Sequence, residues 1–245
     1  MLKAVIFDLG GTLLHYESAE ADIIELNQRG FAALYHHLSA NGQVTLPEVD
    51  FLTAVTSRAM AEWRAALASL RGASVETPLK AVLADIGVSL TDDEWQAARR
   101  AFFAPIRQAV APRKMARYTL QALKERDMAL GLLSNTFWAA DIHDADLARF
   151  GLLDLLPTRL YSCDTGRLKP HPEAFQMALT ALGVEPNEAV YVGDRLKTDV
   201  EPARKVGLWG VLIKVPFRDE RSENMMPDAT ISELPELINL LERRR

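Results

Sequence analysis

The chain has 245 residues, 49% of them hydrophobic and 25% charged, with 28 basic against 33 acidic side chains and a net charge of −5. That length and apolar content build a sizeable core, in one large domain or a domain with a substantial insertion, while the mild acidity excludes a nucleic-acid binder held by a broad basic surface. One cysteine, Cys163, excludes a disulfide framework or a multi-cysteine zinc site, and no apolar run is long enough to span a bilayer.

The first element is the β-branched, apolar run Leu2–Leu9, which stops at Gly10-Gly11-Thr12 and reads as a buried parallel strand. Similar runs recur at Met128–Leu133, Leu160–Ser162, Ala189–Val192 and Trp209–Val215. Between them lie helical patterns at Met115–Arg126 and at Pro172–Leu182, the latter opened by proline and closed by Gly183. Alternating strands and helices predict an α/β fold with a doubly wound parallel sheet.

The stretch between the first and second strands is far longer than a βαβ step needs, and it reads as helical throughout. Glu20–Leu38 carries an apolar stripe and ends near Asn41-Gly42. Thr45 and Glu48 have capping-box spacing ahead of a second helix. Thr77-Pro78 opens a third, stopped at Gly87, and Thr91 with Glu94 repeats the box before a fourth. The expected organisation is a core of residues 1–16 and 111–245 with an inserted all-helical cap at 17–110. The aromatic residues of the insert, Phe31, Trp63, Trp95 and Phe102, are expected to be packing.

Open α/β sheets bind ligands at the carboxyl ends of their strands. Those ends carry Asp8, then Ser134-Asn135, then Lys169 in the loop after the third strand, then Asp194. Taken singly, each has an ordinary reading as a turn former, a helix cap or an exposed lysine. Gathered on one edge, each of these residue types has a use in phosphoryl transfer. A carboxylate attacks phosphorus, paired acids hold a hard cation such as Mg²⁺, and an ammonium with backbone amides offsets charge on the transferring oxygens.

These motifs resemble the haloacid dehalogenase-like (HAD) superfamily of hydrolases. VIFDLGGTL is similar to the first motif of that family, LLSNT to the second, GRLKPHPEAF to the third and VYVGDRLKTDVEPARKVG to the fourth, in the family's order and over essentially the whole chain. The resemblance implies a Rossmannoid core with a C1-type helical cap. It makes Asp8 the nucleophile that becomes an aspartyl-phosphate and Lys169 the group that neutralises charge on nucleophile and phosphate. Gly11, Thr12, Ser134 and Asn135 would bind the phosphoryl group. Asp8, the Gly10 carbonyl and Asp194 would ligate Mg²⁺, with Asp199 in support.

One position departs from the family pattern. Its phosphatases usually carry a second aspartate, the general acid and base, where this chain has Gly10. His15 and Tyr16 lie just downstream, but hinge packing is the expected role of both. The leading expectation is a Mg²⁺-dependent phosphatase acting on a small phosphorylated metabolite, without nucleic-acid or membrane partners, as a monomer or homodimer. The alternatives are a 2-haloacid dehalogenase, and a catalytically impaired member with a binding or regulatory role. A cytoplasmic location is expected, because the apolar start after Lys3 is short and interrupted by Asp8, unlike a signal peptide, and because cysteine is scarce. Cys163 is expected to pack, His36, His37, His143 and His171 to carry no site, and the basic run Arg243–Arg245 to be a solvated end.

Overall fold

The computed structural model describes residues 1–16, 23–215 and 226–244. Glu20, expected to open the first helix, and Arg245 lie outside the described residues. The chain divides into two compact units. The first comprises Met1–His15, Leu70–Gly72 and Ala111–Arg245, and the second Tyr16–Ser69 and Ala73–Val110.

The first unit is built on a six-stranded sheet of order β5-β4-β1-β6-β7-β8. Its strands are β1 (Ala4–Phe7), β4 (Ala129–Ser134), β5 (Thr158–Tyr161), β6 (Ala189–Gly193), β7 (Trp209–Ile213) and β8 (Ala229–Ile231), and every pairing is parallel. The predicted doubly wound α/β sheet is therefore the observed one. β1 and β6 are buried along their whole length, which explains why they read as unbroken apolar runs with no alternation. On one face Ile6, Leu133 and Tyr191 pack under Phe175, Ala178 and Leu179 of α8 (Pro172–Leu182) and Ala203 of α9 (Glu201–Val206). α5 (Ala116–Lys124), α6 (Ala140–Arg149), the short α7 (Ser162–Thr165) and α10 (Glu236–Glu242) complete this unit. The weakly patterned β8, α6 and α10 were not among the sequence expectations.

Register brings the strand ends together. Phe7 sits opposite Leu132 on one side and Val192 on the other, so the next residue, Asp8, falls level with Leu133 and Gly193. After the turn at Gly10–Thr12 the chain forms β2 (Leu14–His15), which pairs antiparallel with β3 (Ala111–Pro112) where the chain re-enters the unit. Leu70–Gly72 also belong here, with the Leu168 amide donating to the Leu70 carbonyl at 3.1 Å.

The second unit contains α1 (Ile23–Ala40), α2 (Glu48–Ser69), α3 (Glu76–Asp85) and α4 (Asp92–Ala109). Phe31 and Phe102 are buried and pack as expected, their rings 5.2 Å apart, while Trp63 and Trp95 are half-buried and Lys80 Nζ lies 4.7 Å over the ring of Trp95. The Thr91–Glu94 capping box is formed, Thr91 N donating to Glu94 Oε2 at 2.7 Å and Glu94 N to Thr91 Oγ1 at 3.4 Å. Thr45 does not cap α2. Its first turn closes on the Pro47 carbonyl, which accepts from Asp50 and Phe51, because a residue before proline, here Leu46, is pushed out of the helical region. Among the described residues, no helix is long and apolar enough to cross a membrane.

Candidate active site

At the carboxyl end of β1, Asp8 is buried, and its amide donates to the Val192 carbonyl at 2.9 Å. The loop that follows is wound tightly around Leu9, whose carbonyl accepts from Thr12, Leu13 and Leu14 at 3.2, 2.9 and 3.0 Å. Gly11 takes φ +83°, a left-handed conformation that glycine adopts without strain, and its amide donates to the Leu14 carbonyl at 2.7 Å. Thr12 is fully buried, and among the described residues its Oγ1 has no hydrogen-bond partner.

Lys169 is the hub. Its side chain is only 3% exposed, and Nζ donates to Asp8 Oδ1 at 2.7 Å, Asp199 Oδ1 at 2.6 Å and the Tyr191 hydroxyl at 2.8 Å. Burial by itself would pull this ammonium's pKa down, but the carboxylates of Asp199 and Asp8 outweigh it and leave the pKa raised. Asp8 responds in the opposite balance. Burial raises its pKa, the Lys169 charge only partly offsets that, and the neighbouring Asp199 adds to the rise.

Asn135 sets the lysine's backbone. Its Nδ2 donates to the Lys169 carbonyl at 2.7 Å while its Oδ1 accepts from the Lys169 amide at 2.8 Å. Both ends of the side-chain amide are used in this ring, so Asn135 ties the loop after β4 to the lysine. Ser134 is buried at the end of β4, beside it.

The fourth motif leaves β6 at Gly193-Asp194 and turns through a π-helical segment, Leu196–Val200. That turn returns Asp199 under the strand end. A Cβ at Gly193 would lie 2.5 Å from Asp199 Cβ, so only glycine permits the approach. Asp199 Oδ2 accepts from the Arg195 amide at 3.1 Å. Asp8, Asp194 and Asp199 are all buried, and each offers a carboxylate oxygen within 4.8 Å of the others. Three hard oxygen donors in one place form a set able to hold a divalent cation.

Two contributors went unrecognised in the sequence. In the sequence Tyr191 is one position of an apolar strand. Its ring packs against Phe175 (centroids 5.1 Å apart) and its hydroxyl lies between Lys169, Asp199 and the Leu133 carbonyl. Arg113 reaches the Gly11 carbonyl, in the loop after Asp8, from 102 residues away. A tyrosine inside an otherwise aliphatic strand was the signal available for the first, since a buried phenol needs a polar partner.

Behind the second motif lies a buried polar network. Thr136 N donates to Ser162 Oγ at 2.9 Å, and Thr136 Oγ1 lies 2.6 Å from His143 Nε2. The His143 ring is stacked between Trp138 and Tyr161, at 5.7 and 5.3 Å. Tyr161 and Arg159 both bond Asp144. Burial pulls the His143 pKa down to about 4, although Asp144 and Asp141 oppose it. An unfolded histidine titrates near 6.5, so between the two values the unfolded chain binds more protons, and stability falls as pH falls through that window. At 1.36 kcal/mol per unit the loss by pH 4 is about 3 kcal/mol. The wild-type thermal midpoint should therefore drop more steeply between pH 7 and 4 than that of His143→Gln; equal slopes would reject the assignment.

The remaining expectations concern other places. His171 accepts from the Glu173 amide and caps α8, and His36 lies 3.4 Å from Glu48 in the second unit. Cys163 is half-buried beside Asp164, and burial pushes its thiol up to about 12, far from a reactive thiolate. His15 is half-buried and pairs through its backbone with Ala111, and Tyr16 after it is buried.

Known proteins resemble this chain in sequence and fold. The profile of the haloacid dehalogenase-like hydrolases matches residues 2–207. A phosphoserine phosphatase of Thermus thermophilus is 28% identical over 96% of this chain and 98% of its own. A glyceraldehyde 3-phosphate phosphatase of Pyrococcus furiosus is 34% identical over 52% of this chain, which spans about half (53%) of that relative. Among solved structures, a 2-haloacid dehalogenase from Pseudomonas syringae pv. Tomato superimposes with a TM-score of 0.71 at 26% identity, over 100% of both chains. With the fold, the four motifs and the profile in agreement, this chain belongs to the haloacid dehalogenase-like hydrolase family.

Proposed function

We propose that this protein is a Mg²⁺-dependent phosphatase that hydrolyses a small phosphomonoester through an aspartyl-phosphate on Asp8. The observation that carries this reading is the buried trio Asp8, Asp194 and Asp199, with Lys169 bridging two of its members. A dehalogenase attacks carbon with a carboxylate and needs no cation, whereas three clustered carboxylates suit one. Several relatives bear phosphatase names, including the whole-chain match to a phosphoserine phosphatase. Phosphoserine is accordingly a first substrate to test.

The donor set suits Mg²⁺, a small hard ion usually bound by one or two carboxylates plus water and substrate phosphate. Asp8, Asp194 and the Gly10 carbonyl would hold it. Asp199, already bonded through both oxygens to Lys169 and the Arg195 amide, would support it without direct ligation. Bound there, the ion would screen charge on the phosphoryl oxygens.

The chain's own groups do the rest. An Asp8 oxygen attacks phosphorus, the P–O bond to the alcohol breaks, and water then cleaves the acyl-phosphate to return the carboxylate and release phosphate. Lys169 favours the ionised form of Asp8, orients it through its 2.7 Å bond and offsets the charge that gathers on the phosphoryl oxygens. Thr12 Oγ1, buried in the loop that follows the nucleophile and without a partner among the described residues, would donate to a phosphoryl oxygen.

Gly10 offers no proton to the leaving oxygen. General acid catalysis is worth about 10²–10⁴-fold, so aryl phosphates, which leave unaided, should exceed alkyl phosphates in kcat by about 10². The experiment is phosphate release from p-nitrophenyl phosphate, lost on chelation and restored by Mg²⁺. A second reading, 2-haloacid dehalogenase, is favoured by the whole-chain structural match to such an enzyme. Metal-independent halide release from 2-haloacids, without phosphate release, would overturn the proposal in its favour.

A further inference from the structure

Arg113 lies one residue past β3, outside all four motifs, and its side chain is half-buried. Nη1 donates to the Gly11 carbonyl at 2.7 Å, and Nη2 donates to the carbonyls of Lys214 at 2.8 Å and Ser232 at 3.0 Å. Its amide donates to the Leu13 carbonyl at 2.8 Å, continuing the β2–β3 pairing. Lys214 and Ser232 each follow directly on a strand, β7 and β8, and the Lys214 amide donates to the Ile231 carbonyl at 2.9 Å. One guanidinium therefore joins the loop behind the nucleophile to the carboxyl ends of two strands more than 100 residues away in sequence.

We propose that Arg113 is a positioning residue of the active site, its guanidinium holding the Gly10–Leu14 loop so that Asp8 stays aligned with Lys169. This rests on the phosphatase reading above for its kinetic expression, though not for its structural one. The loop's own backbone bonds run back to Leu9 and across to Leu14, and its Leu13 and Leu14 are buried and lead into the β2–β3 pairing. To these anchors the Arg113 side chain adds a tie from the Gly11 carbonyl to the carboxyl ends of β7 and β8. Arginine is required chemically, because a planar fork presents several donors at fixed angles to three carbonyls at once, and a lysine ammonium on a flexible stem does not. Displacement of the reacting carboxylate by about 1 Å is enough to cost on the order of 10² in rate.

The test compares wild type with Arg113→Ala and Arg113→Lys. In Arg113→Ala, kcat on p-nitrophenyl phosphate with Mg²⁺ should fall about 10–100-fold while KM changes less than about 3-fold. Millimolar methylguanidinium should restore part of the lost kcat, and Arg113→Lys should recover little of it. Independently of activity, amide hydrogen exchange in the segment Asp8–His15 should quicken in Arg113→Ala while that of β4 stays as in wild type. If Arg113→Ala does not fold, the same exchange comparison is made on Arg113→Lys. Unchanged exchange in that segment overturns the inference whether or not the enzyme is active. Wild-type kinetics in a folded variant, or a fall in kcat with no rescue and with quickened exchange throughout the unit, also overturn it. An inactive wild type with the expected exchange pattern counts against the phosphatase reading alone.

Discussion

Asp8→Asn is expected to abolish phosphate release from p-nitrophenyl phosphate, to less than about 10⁻⁴ of the wild-type kcat, since removal of a covalent nucleophile from an enzyme costs on the order of 10⁶ in the best-studied case. The substitution keeps size and shape, but an amide cannot form the acyl-phosphate. It also removes one negative charge from a place where burial already disfavours that charge and Asp199 adds repulsion. Lys169 keeps its bonds to Asp199 and to the Tyr191 hydroxyl. The thermal midpoint should for those reasons stay level or rise while turnover disappears. Residual turnover above about one per cent, with no reversion of the amide to the acid by mass spectrometry, would remove Asp8 from the role of nucleophile.

Lys169→Met should have the second-largest effect, and it should strike stability as well as rate. The ammonium is buried with two carboxylates and a phenol around it. Breaking a buried ion pair by deleting one partner costs about 3–5 kcal/mol, because the other charge is left without compensation. Here two are left, so a loss of at least about 3 kcal/mol is expected in chemical denaturation. Turnover should fall by about 10²–10³, as for other losses of a preorganised group that stabilises developing charge. The double variant Lys169→Met/Asp199→Asn separates the two effects. It should regain part of the stability, since one of the uncompensated carboxylates is gone, yet none of the activity. Recovery of activity in the double variant would show that the lysine acts only by neutralising Asp199.

The reach of the sequence is clear from particular elements. β1 and β6 were legible because central parallel strands are buried on both faces and must be apolar throughout. The residues after them were legible as site candidates because ligands bind where such strands end. β8 and α10 were not, since a three-residue edge strand with one exposed position and a seven-residue helix carry too little pattern to separate from loop. The capping box at Thr91 formed while the one at Thr45 did not, and the difference is Pro47. A local rule failed because a stronger local rule, the restriction on the residue before proline, acted two residues later.

The site divides in the same way. Asp8, Lys169, Asp194 and Asp199 could be named from their motifs, but not the use each makes of its atoms. Asn135 turned out to spend its side chain on the backbone of Lys169, and Asp199 to spend both oxygens on Lys169 and Arg195. Tyr191 is marked only by being a phenol in an aliphatic strand, and Arg113 and the Thr136–His143–Ser162 network have no local signature at all.

By itself, then, the amino-acid sequence determined the class of fold, the order of its central strands along the chain, the helical character of the insertion and the residue types gathered at the strand ends. All of these follow from short-range periodicity and from the chemistry of single residues. Only the tertiary structure decided which donor meets which acceptor. A hydrogen bond between residues 102 or 161 positions apart depends on strand register and on where a turn returns the chain, and no local pattern encodes either.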